Sequence, residues 1–422
     1  MNDPGPVGAA ARVASVPSAV SPPAAGTGGH RNVRGFARAG FIAPRYDGAG
    51  LGAVLPAVAD SLGVAVTVGG RSGAAARSAL GLPTAQRVCV VLVDGLGHTN
   101  LSERSGHAPF LRSLLADGQV LTSGFPSTTA ASMGLFGTGT GPGRTAMVGY
   151  TARNPATGGL GNLVSWDGLG DPHDWQREPT IFEQVTAAGI PVTSVGPGKF
   201  RGSGLTEAAL RGGGYRGAER LADRVDAVVY ELMGPALVYL YWGQVDKVGH
   251  HHGWGSWQWG EEVGSIDREL ARLERALPPG TLLVVTADHG MVDVDRSQRW
   301  DVAKTPTLSD GVDLVAGEPR AIHVHTKLGA AEAVEAVVTR WRATLGKAAV
   351  VATREEAIGA GWFGPVSEHV RPVIGDVVVA MTGRATVVDS RTQTPASMDL
   401  VGVHGSFTPE EMQVPLLTVH RR

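Results

Sequence analysis

Three short apolar runs that each lead toward an acidic residue constrain this chain more than any other feature. VCVVLVD (88–94), ALVYLYW (236–242) and TLLVVTAD (281–288) are continuous and rich in β-branched or aromatic side chains, the pattern of strands covered on both faces. Helical patterns lie around and between them, in LGAVLPAVADSLGV from Leu51, APFLRSLLADG (108–118), TIFEQVTAAG (180–189) and EEVGSIDRELARLERAL (261–277). This alternation predicts an α/β fold on a doubly wound, mostly parallel central sheet. Ligands of such sheets bind beyond the carboxyl ends of the strands. Asp94 and Asp288 end two of the runs and Asp246 follows the third by four residues, so three carboxylates are expected on one edge.

Residues 1–45 combine Pro, Gly, Ala and Ser without helical or strand period. Such a segment cannot bury enough surface to offset its ordering entropy, and a disordered tail is expected ahead of one catalytic domain over 46–422. Within 293–380 the strand-like AIHVHT (321–326), AAVVAT (348–353) and DVVVAMT (from 376) surround a helical AAEAVEAVVTRWRATL (330–345). These predict a small inserted cap.

Apolar residues make up 43% of the 422 and charged residues 18%, the balance of a folded chain. A formal charge of −2 gives no field to collect polyanions, so neither nucleic acid nor a membrane surface is indicated as a partner and any anion must be captured locally. Cys89 is the only cysteine, which excludes an intramolecular disulfide, and its apolar surroundings read as a strand interior. No stretch approaches the ~20 apolar residues of a membrane span. The first thirty residues lack the charged-then-apolar layout of a secretory signal, so a cytoplasmic location is expected.

Five motifs carry chemistry. VVLVDGLGHTNL delivers Asp94 into a Gly-rich turn, where backbone can approach a metal or phosphate. FPSTTAASMGLFGTG (125–139) opens a helix on hydroxyls; Ser127 and Thr128 are N-cap candidates, and Thr129 would sit in the first turn beside free N–H groups and the positive end of the helix dipole. DKVGHHHG (246–253) spaces Asp246 and His250 four apart, able to face one metal, whereas His251 and His252 read as surface or supporting residues. VVTADHGM (284–291) sets Asp288 and His289 side by side at the end of a buried run, which packing alone does not explain. DLVGVHGSF (399–407) adds His404.

Each motif alone has an ordinary structural explanation, as a turn carboxylate, a helix cap or a lone histidine. Together, six Asp and His candidates and a hydroxyl exceed what one tetrahedral Zn²⁺ accepts. Two divalent ions are therefore expected, one on Asp246, His250 and His404, the other on Asp94, Asp288, His289 and Thr129. The mixed nitrogen and oxygen set favours Zn²⁺, with Mn²⁺ the alternative.

The ordered set DGLG, PSTTA, DxxxH, TADHGM and a late HG over about residues 86–420 resembles the alkaline phosphatase superfamily, most closely its nucleotide pyrophosphatase/phosphodiesterase branch. The resemblance implies an alkaline-phosphatase-like fold, metal ligation by Asp94, Asp246, His250, Asp288, His289 and His404, and Thr129 as nucleophile, with Thr128 one residue away as the alternative. It implies hydrolysis of phosphodiester or pyrophosphate bonds in a small nucleotide-like substrate through a phospho-threonine intermediate. Where family members carry an Asn for a phosphoryl oxygen, this chain reads AMVGY and ends in Tyr150; Tyr150 and Ala130 are the substrate-contact candidates. Trp242, Trp254, Trp257 and Trp259 flank the DxxxH motif and either stack a base or pack a helix. A phosphomonoesterase, a phosphonate hydrolase or a sugar-phosphate mutase shares the same core. A catalytically inert metal-binding homologue is the alternative of another class.

Overall fold

The β-branched runs form the middle of a seven-stranded sheet. In the structure, a computed structural model that describes residues 33–327 and 330–421, the strands of this sheet and of a second one are β1 Arg87–Val93, β2 Gln119–Thr122, β3 Thr151–Arg153, β4 Leu160–Asn162, β5 Val192–Gly196, β6 Gly214–Gly217, β7 Ala236–Trp242, β8 Thr281–Thr286, β9 Val312–Glu318, β10 Ala321–Thr326, β11 Ala349–Thr353, β12 Val377–Met381 and β13 Gln413–His420. The central order is β2-β13-β8-β1-β7-β5-β6. β8, β1, β7, β5 and β6 run parallel, while β13 adds antiparallel to β8 and the edge strand β2 antiparallel to β13. Every residue of β8 and all but the first of β1 are buried, and each Val or Leu so buried contributes about 1.5–3 kcal/mol. That burial locks the register that sets Leu92 beside Thr286 and Val93 beside Trp242. The three acidic motifs therefore leave the sheet at one edge.

Helices follow the sequence pattern closely. α1 spans Val54–Ser61, α2 Thr129–Thr138, α3 Ile181–Ala187, α4 Gln244–His252, α5 Trp257–Ala276 and α6 Ala331–Leu345. Thr180 and Glu183 close a capping box on α3, satisfying two orphan donors of its first turn. Among the described residues no helix is long and apolar enough to cross a membrane.

The second sheet has the order β11-β12-β10-β9-β3-β4. Period-two alternation divides it cleanly. Ile322, Val324, Val351, Val377 and Val379 pack with Val337, Val338 and Trp341 of α6. Ala321, Val350, Ala352, Val378 and Ala380 join the main core. The elements anticipated within 293–380 are present, but that interval is not self-contained: β3 and β4, from 151–162, complete its sheet through the pairing of Thr151 with Gly317.

The expected tail boundary also moves. Residues 1–32 lie outside the described residues, yet Val33, Phe36 and Phe41 are buried, and the rings of Phe36 and Phe41 lie 5.1 and 5.4 Å from that of Phe407. Aromatic burial at these few positions outweighs the Pro/Gly-rich composition around them.

Candidate metal centre and active site

At the carboxyl edge of β8, β1 and β7 the structure brings together Asp94, Asp246, Asp288, His250, His289, His404 and Thr129. Gly95 makes the approach possible. It has φ +73°, and a Cβ there would lie 2.9 Å from the Cα and Cβ of Asp246, so a side chain at 95 would push the two carboxylate-bearing segments apart.

The carboxylates follow one pattern, with one oxygen anchored and the other bare. Asp94 Oδ2 accepts from the Tyr241 hydroxyl at 2.5 Å. Asp288 Oδ1 accepts from the N–H groups of Gly95 at 3.1 Å and His289 at 3.0 Å. Asp246 Oδ2 lies 3.2 Å from His250 Nε2. Asp94 Oδ1, Asp246 Oδ1 and Asp288 Oδ2 are buried without a hydrogen-bond partner. Three bare buried carboxylate oxygens in one cluster are strongly unfavourable unless cations meet them.

The histidines mirror that pattern. Nδ1 of His250 lies 2.7 Å from the Gly402 carbonyl oxygen, that of His289 3.0 Å from Gly290 and that of His404 3.0 Å from Ser127. An Nδ1–H bound to a carbonyl leaves the Nε2 lone pair free, the tautomer a metal ligand needs. Those Nε2 atoms face the carboxylates: His289 lies 3.5 Å from Asp94 Oδ1 and from Asp288 Oδ2, and His404 lies 3.7 Å from Asp246 Oδ1. Ligand atoms of Asp94, Asp288 and His289 lie within 4.8 Å of one another, as do those of Asp246, His289 and His404. His289 thus stands between the two groups, and its ring stacks on His404 at 3.6 Å. His250 adjoins through Asp246. Donor types and bare oxygens both fit divalent cations.

Charges respond to this crowding. Burial, then repulsion from Asp288 and Asp246, pushes the Asp94 carboxyl well above the usual carboxylate range. Burial likewise raises Asp288, against the pull of His289. Burial also acts upward on Asp246, but His250, together with His404 and His289, outweighs it and holds that carboxyl low. Burial acts downward on His250, whereas Asp246 lifts it to about 9. For His404 burial dominates and lowers it well below the ordinary value.

Thr128 is the N-cap of α2 and Thr129 its first helical residue, with no side chain capping the end. First-turn N–H groups have no acceptor four residues back, so they are available to an anion. Thr129 Oγ1 lies 3.2 Å from His289 Nε2, whereas the Thr128 side chain turns to Glu318. Ala130 is wholly buried and borders neither of the two cavities that meet here. Tyr150 is 45% exposed and borders both cavities that meet here.

None of Trp242, Trp254, Trp257 and Trp259 borders either cavity. Trp259 is fully buried, Trp242 donates to Glu262 at 2.8 Å, and Trp242 and Trp254 pack against the main core, so packing explains these three, whereas Trp257 is exposed to solvent away from the site. The aromatic wall belongs instead to Phe200, Tyr215, Tyr239 and Tyr241. The last two sit two apart on β7, a same-face spacing visible in ALVYLYW.

Glu318, at the end of β9, carried no recognisable motif. Its Oε2 accepts from the Tyr150 N–H at 2.7 Å, while Oε1 is buried without a partner. Burial, opposed by the Tyr150 N–H and Thr128, pushes its carboxyl up to about 8. Gly405, at φ +134°, passes so close that a Cβ would lie 2.8 Å from Glu318 Cγ.

Comparison with known proteins places this arrangement. The fold is similar to that of murine ectonucleotide pyrophosphatase/phosphodiesterase 5, with TM-score 0.61 and 19% identity over 78% of this chain and 87% of that one. It is also similar to phosphonoacetate hydrolase from Sinorhizobium meliloti 1021 in complex with phosphonoformate, with TM-score 0.63 and 22% identity over 84% and 93%. In sequence, 117 residues are 34% identical to a phosphopentomutase of Anaeromyxobacter dehalogenans (strain 2CP-C), a match covering 26% of this chain and only 28% of that protein's length. The family model for Type I phosphodiesterase / nucleotide pyrophosphatase matches residues 88–407, an interval that holds the first carboxylate, the last histidine and everything between them, so the chain belongs to that family of the alkaline phosphatase superfamily.

Proposed function

We propose that the chain is a metal-dependent phosphoesterase that hydrolyses phosphodiester or pyrophosphate bonds of small nucleotide-like substrates through a phospho-threonine at Thr129. The observation that carries this reading is the Thr129 hydroxyl at the uncapped start of α2, 3.2 Å from His289 within a cluster of bare carboxylate oxygens. Asp94, Asp288, His289 and Thr129 would hold one divalent ion and Asp246, His250 and His404 the other. Zn²⁺, or alternatively Mn²⁺, in these positions would promote ionisation of the hydroxyl and offset charge on the phosphoryl oxygens.

The chain's own groups supply the rest. Thr129 Oγ1 attacks phosphorus, and the uncapped start of α2 receives a phosphoryl oxygen. Tyr241 holds Asp94 and the three carbonyl-bound imidazoles keep their Nε2 atoms inward. Tyr150 stands at the mouth. Family membership supports the reaction class, and a nucleotide-like ligand is supported by the inactive murine ectonucleotide pyrophosphatase/phosphodiesterase 5 solved with AMP. The intact ligand set and Thr129 argue against an inert homologue.

The test compares bis-p-nitrophenyl phosphate with p-nitrophenyl phosphate in Zn²⁺ and Mn²⁺, with and without chelator. Chelator-sensitive turnover of the diester in preference to the monoester is expected. Turnover of the monoester alone would sink the diesterase reading, and turnover of neither would favour the inert homologue.

A further inference from the structure

Two cavities open onto the centre and share Thr128, Tyr150, His250 and His404. The smaller, about 250 Å³, contains Thr129, Asp94, Asp246 and the tyrosine wall. The larger, about 610 Å³, starts at His250 and His404 and continues between β4, β9 and the 387–403 segment. Thr129 borders the smaller cavity and not the larger. A substituent in the larger one thus lies outside the cavity that holds the attacking oxygen, as an in-line leaving group must.

The charge of the larger cavity is informative. Among the described residues that line it there is no lysine or arginine. Asp389 is gripped by Arg391 at 2.5 and 2.8 Å. Asp167, at the exposed rim, accepts from the Ser165 hydroxyl at 2.5 Å. Glu318 is buried on the Tyr150 N–H. The remaining surface is amide, hydroxyl and aliphatic, as in Asn162, Thr392, Gln393, Val388 and Leu400. Phosphate recognition relies on cationic forks or open helix ends. Past the histidines at its mouth, a phosphate chain here would meet acidic oxygens and no lining lysine or arginine, whereas a neutral alcohol would find hydrogen bonds and apolar contact.

Building on the phosphodiester reading above, we propose that the larger cavity receives the leaving arm of the substrate and that this arm is an uncharged alcohol, so that the substrate is a diester of two alcohols rather than a nucleoside di- or triphosphate. In the first step the bond from Thr129 Oγ1 to phosphorus forms as the phosphorus–oxygen bond to the arm breaks, and the proton lost by Thr129 ends on the departing alcohol. One water then cleaves the Thr129–phosphorus link, restoring the hydroxyl and releasing the phosphomonoester and a proton.

The test uses two compounds with one retained nucleoside, thymidine 5′-(p-nitrophenyl) phosphate and thymidine 5′-triphosphate. Calorimetric titration of Zn²⁺-loaded Thr129→Ala protein reads binding without turnover, and the ester is expected to bind at least about tenfold more tightly. Thr392→Arg, which adds a cation at the rim, is expected to raise the triphosphate-to-ester ratio of kcat/KM about tenfold. Equal or tighter binding of the triphosphate overturns the assignment of the cavity, and so does a ratio that Thr392→Arg leaves unmoved. Should that variant not fold, the Thr129→Ala titration decides alone. Zn²⁺-loaded wild type that hydrolyses neither compound overturns the phosphodiesterase reading itself, a result distinct from misassignment of the cavity.

Discussion

The Nδ1 atom of His404 lies 3.0 Å from the main-chain carbonyl oxygen of Ser127, a residue 277 positions earlier in the chain and two before Thr129. The contact is one of three. The Ser127 N–H donates to the Gly405 carbonyl at 3.0 Å, and the Ser127 hydroxyl donates to the Ser406 carbonyl at 2.6 Å. The turn that opens α2 and the loop that carries His404 are therefore one unit, and whatever disturbs one disturbs the other.

Ser127→Ala is the direct probe of that unit. It leaves the buried Ser406 carbonyl without the serine donor, a loss of about 1–3 kcal/mol, and loosens the support of His404, for which a 10–100-fold weaker metal affinity is typical. Chelator competition and thermal unfolding measure the two effects. Unchanged metal affinity in a folded Ser127→Ala protein would refute the proposed coupling.

Thr129→Ala should reduce kcat/KM by about 10³-fold or more while leaving the metal content per chain intact, since a nucleophile is lost and six ligands remain. Thr128→Ala should cost far less, because that side chain faces Glu318. Metal analysis beside steady-state kinetics separates the two positions. Full activity in Thr129→Ala would transfer the role to Thr128 or to a water.

Glu318 predicts a pH dependence. Its carboxyl is raised from 4.5 to about 8 in the folded chain. The folded state is therefore favoured fully below about pH 4.5, and that contribution declines until the pH passes about 8, because the unfolded chain releases this proton first. The stability difference between wild type and Glu318→Gln should fall across this window and level off above it. Unfolding midpoints from pH 5 to 9 provide the check; a flat difference would contradict the buried, protonated state.

Arg320 and Glu411 form a wholly buried pair, joined at 3.0 Å through Nε and 2.7 Å through Nη2. Glu411 also accepts from the Ser406 N–H at 3.0 Å, tying the second sheet to the loop of His404. Arg320→Ala strands a buried carboxylate, which typically destabilises by about 3–5 kcal/mol. Urea unfolding would register this. A loss below about 1 kcal/mol would mean that the pair is not closed as described.

The local code of the chain is strong where burial and period agree. VCVVLVD, ALVYLYW and TLLVVTAD were readable as central strands because continuous β-branched runs have few other solutions, and their parallel pairing forces Asp94, Asp246 and Asp288 to one edge whatever the loops do. The hydroxyl-rich opening of α2 announced a helix start for the same local reason.

Tertiary structure decided everything that depends on distant segments meeting. Phe36 and Phe41 sit in a Pro/Gly-rich stretch whose own composition predicts disorder, and the distant Trp362 and Phe407 give them a core. β3 and β4 join a sheet more than 150 residues further along the chain, a pairing with no local signature. Glu318 stands in the unremarkable GEPR, and its burial against Tyr150 and Gly405 arises from two loops that no period relates. Residue type and spacing alone singled out the side chains able to bind metal and the hydroxyls that open α2, and the choice of Thr129 among them came from the family resemblance. Which oxygens stay bare, which nitrogens point inward and which cavity lacks positive charge were fixed by packing, because those properties belong to neighbours in space rather than in sequence.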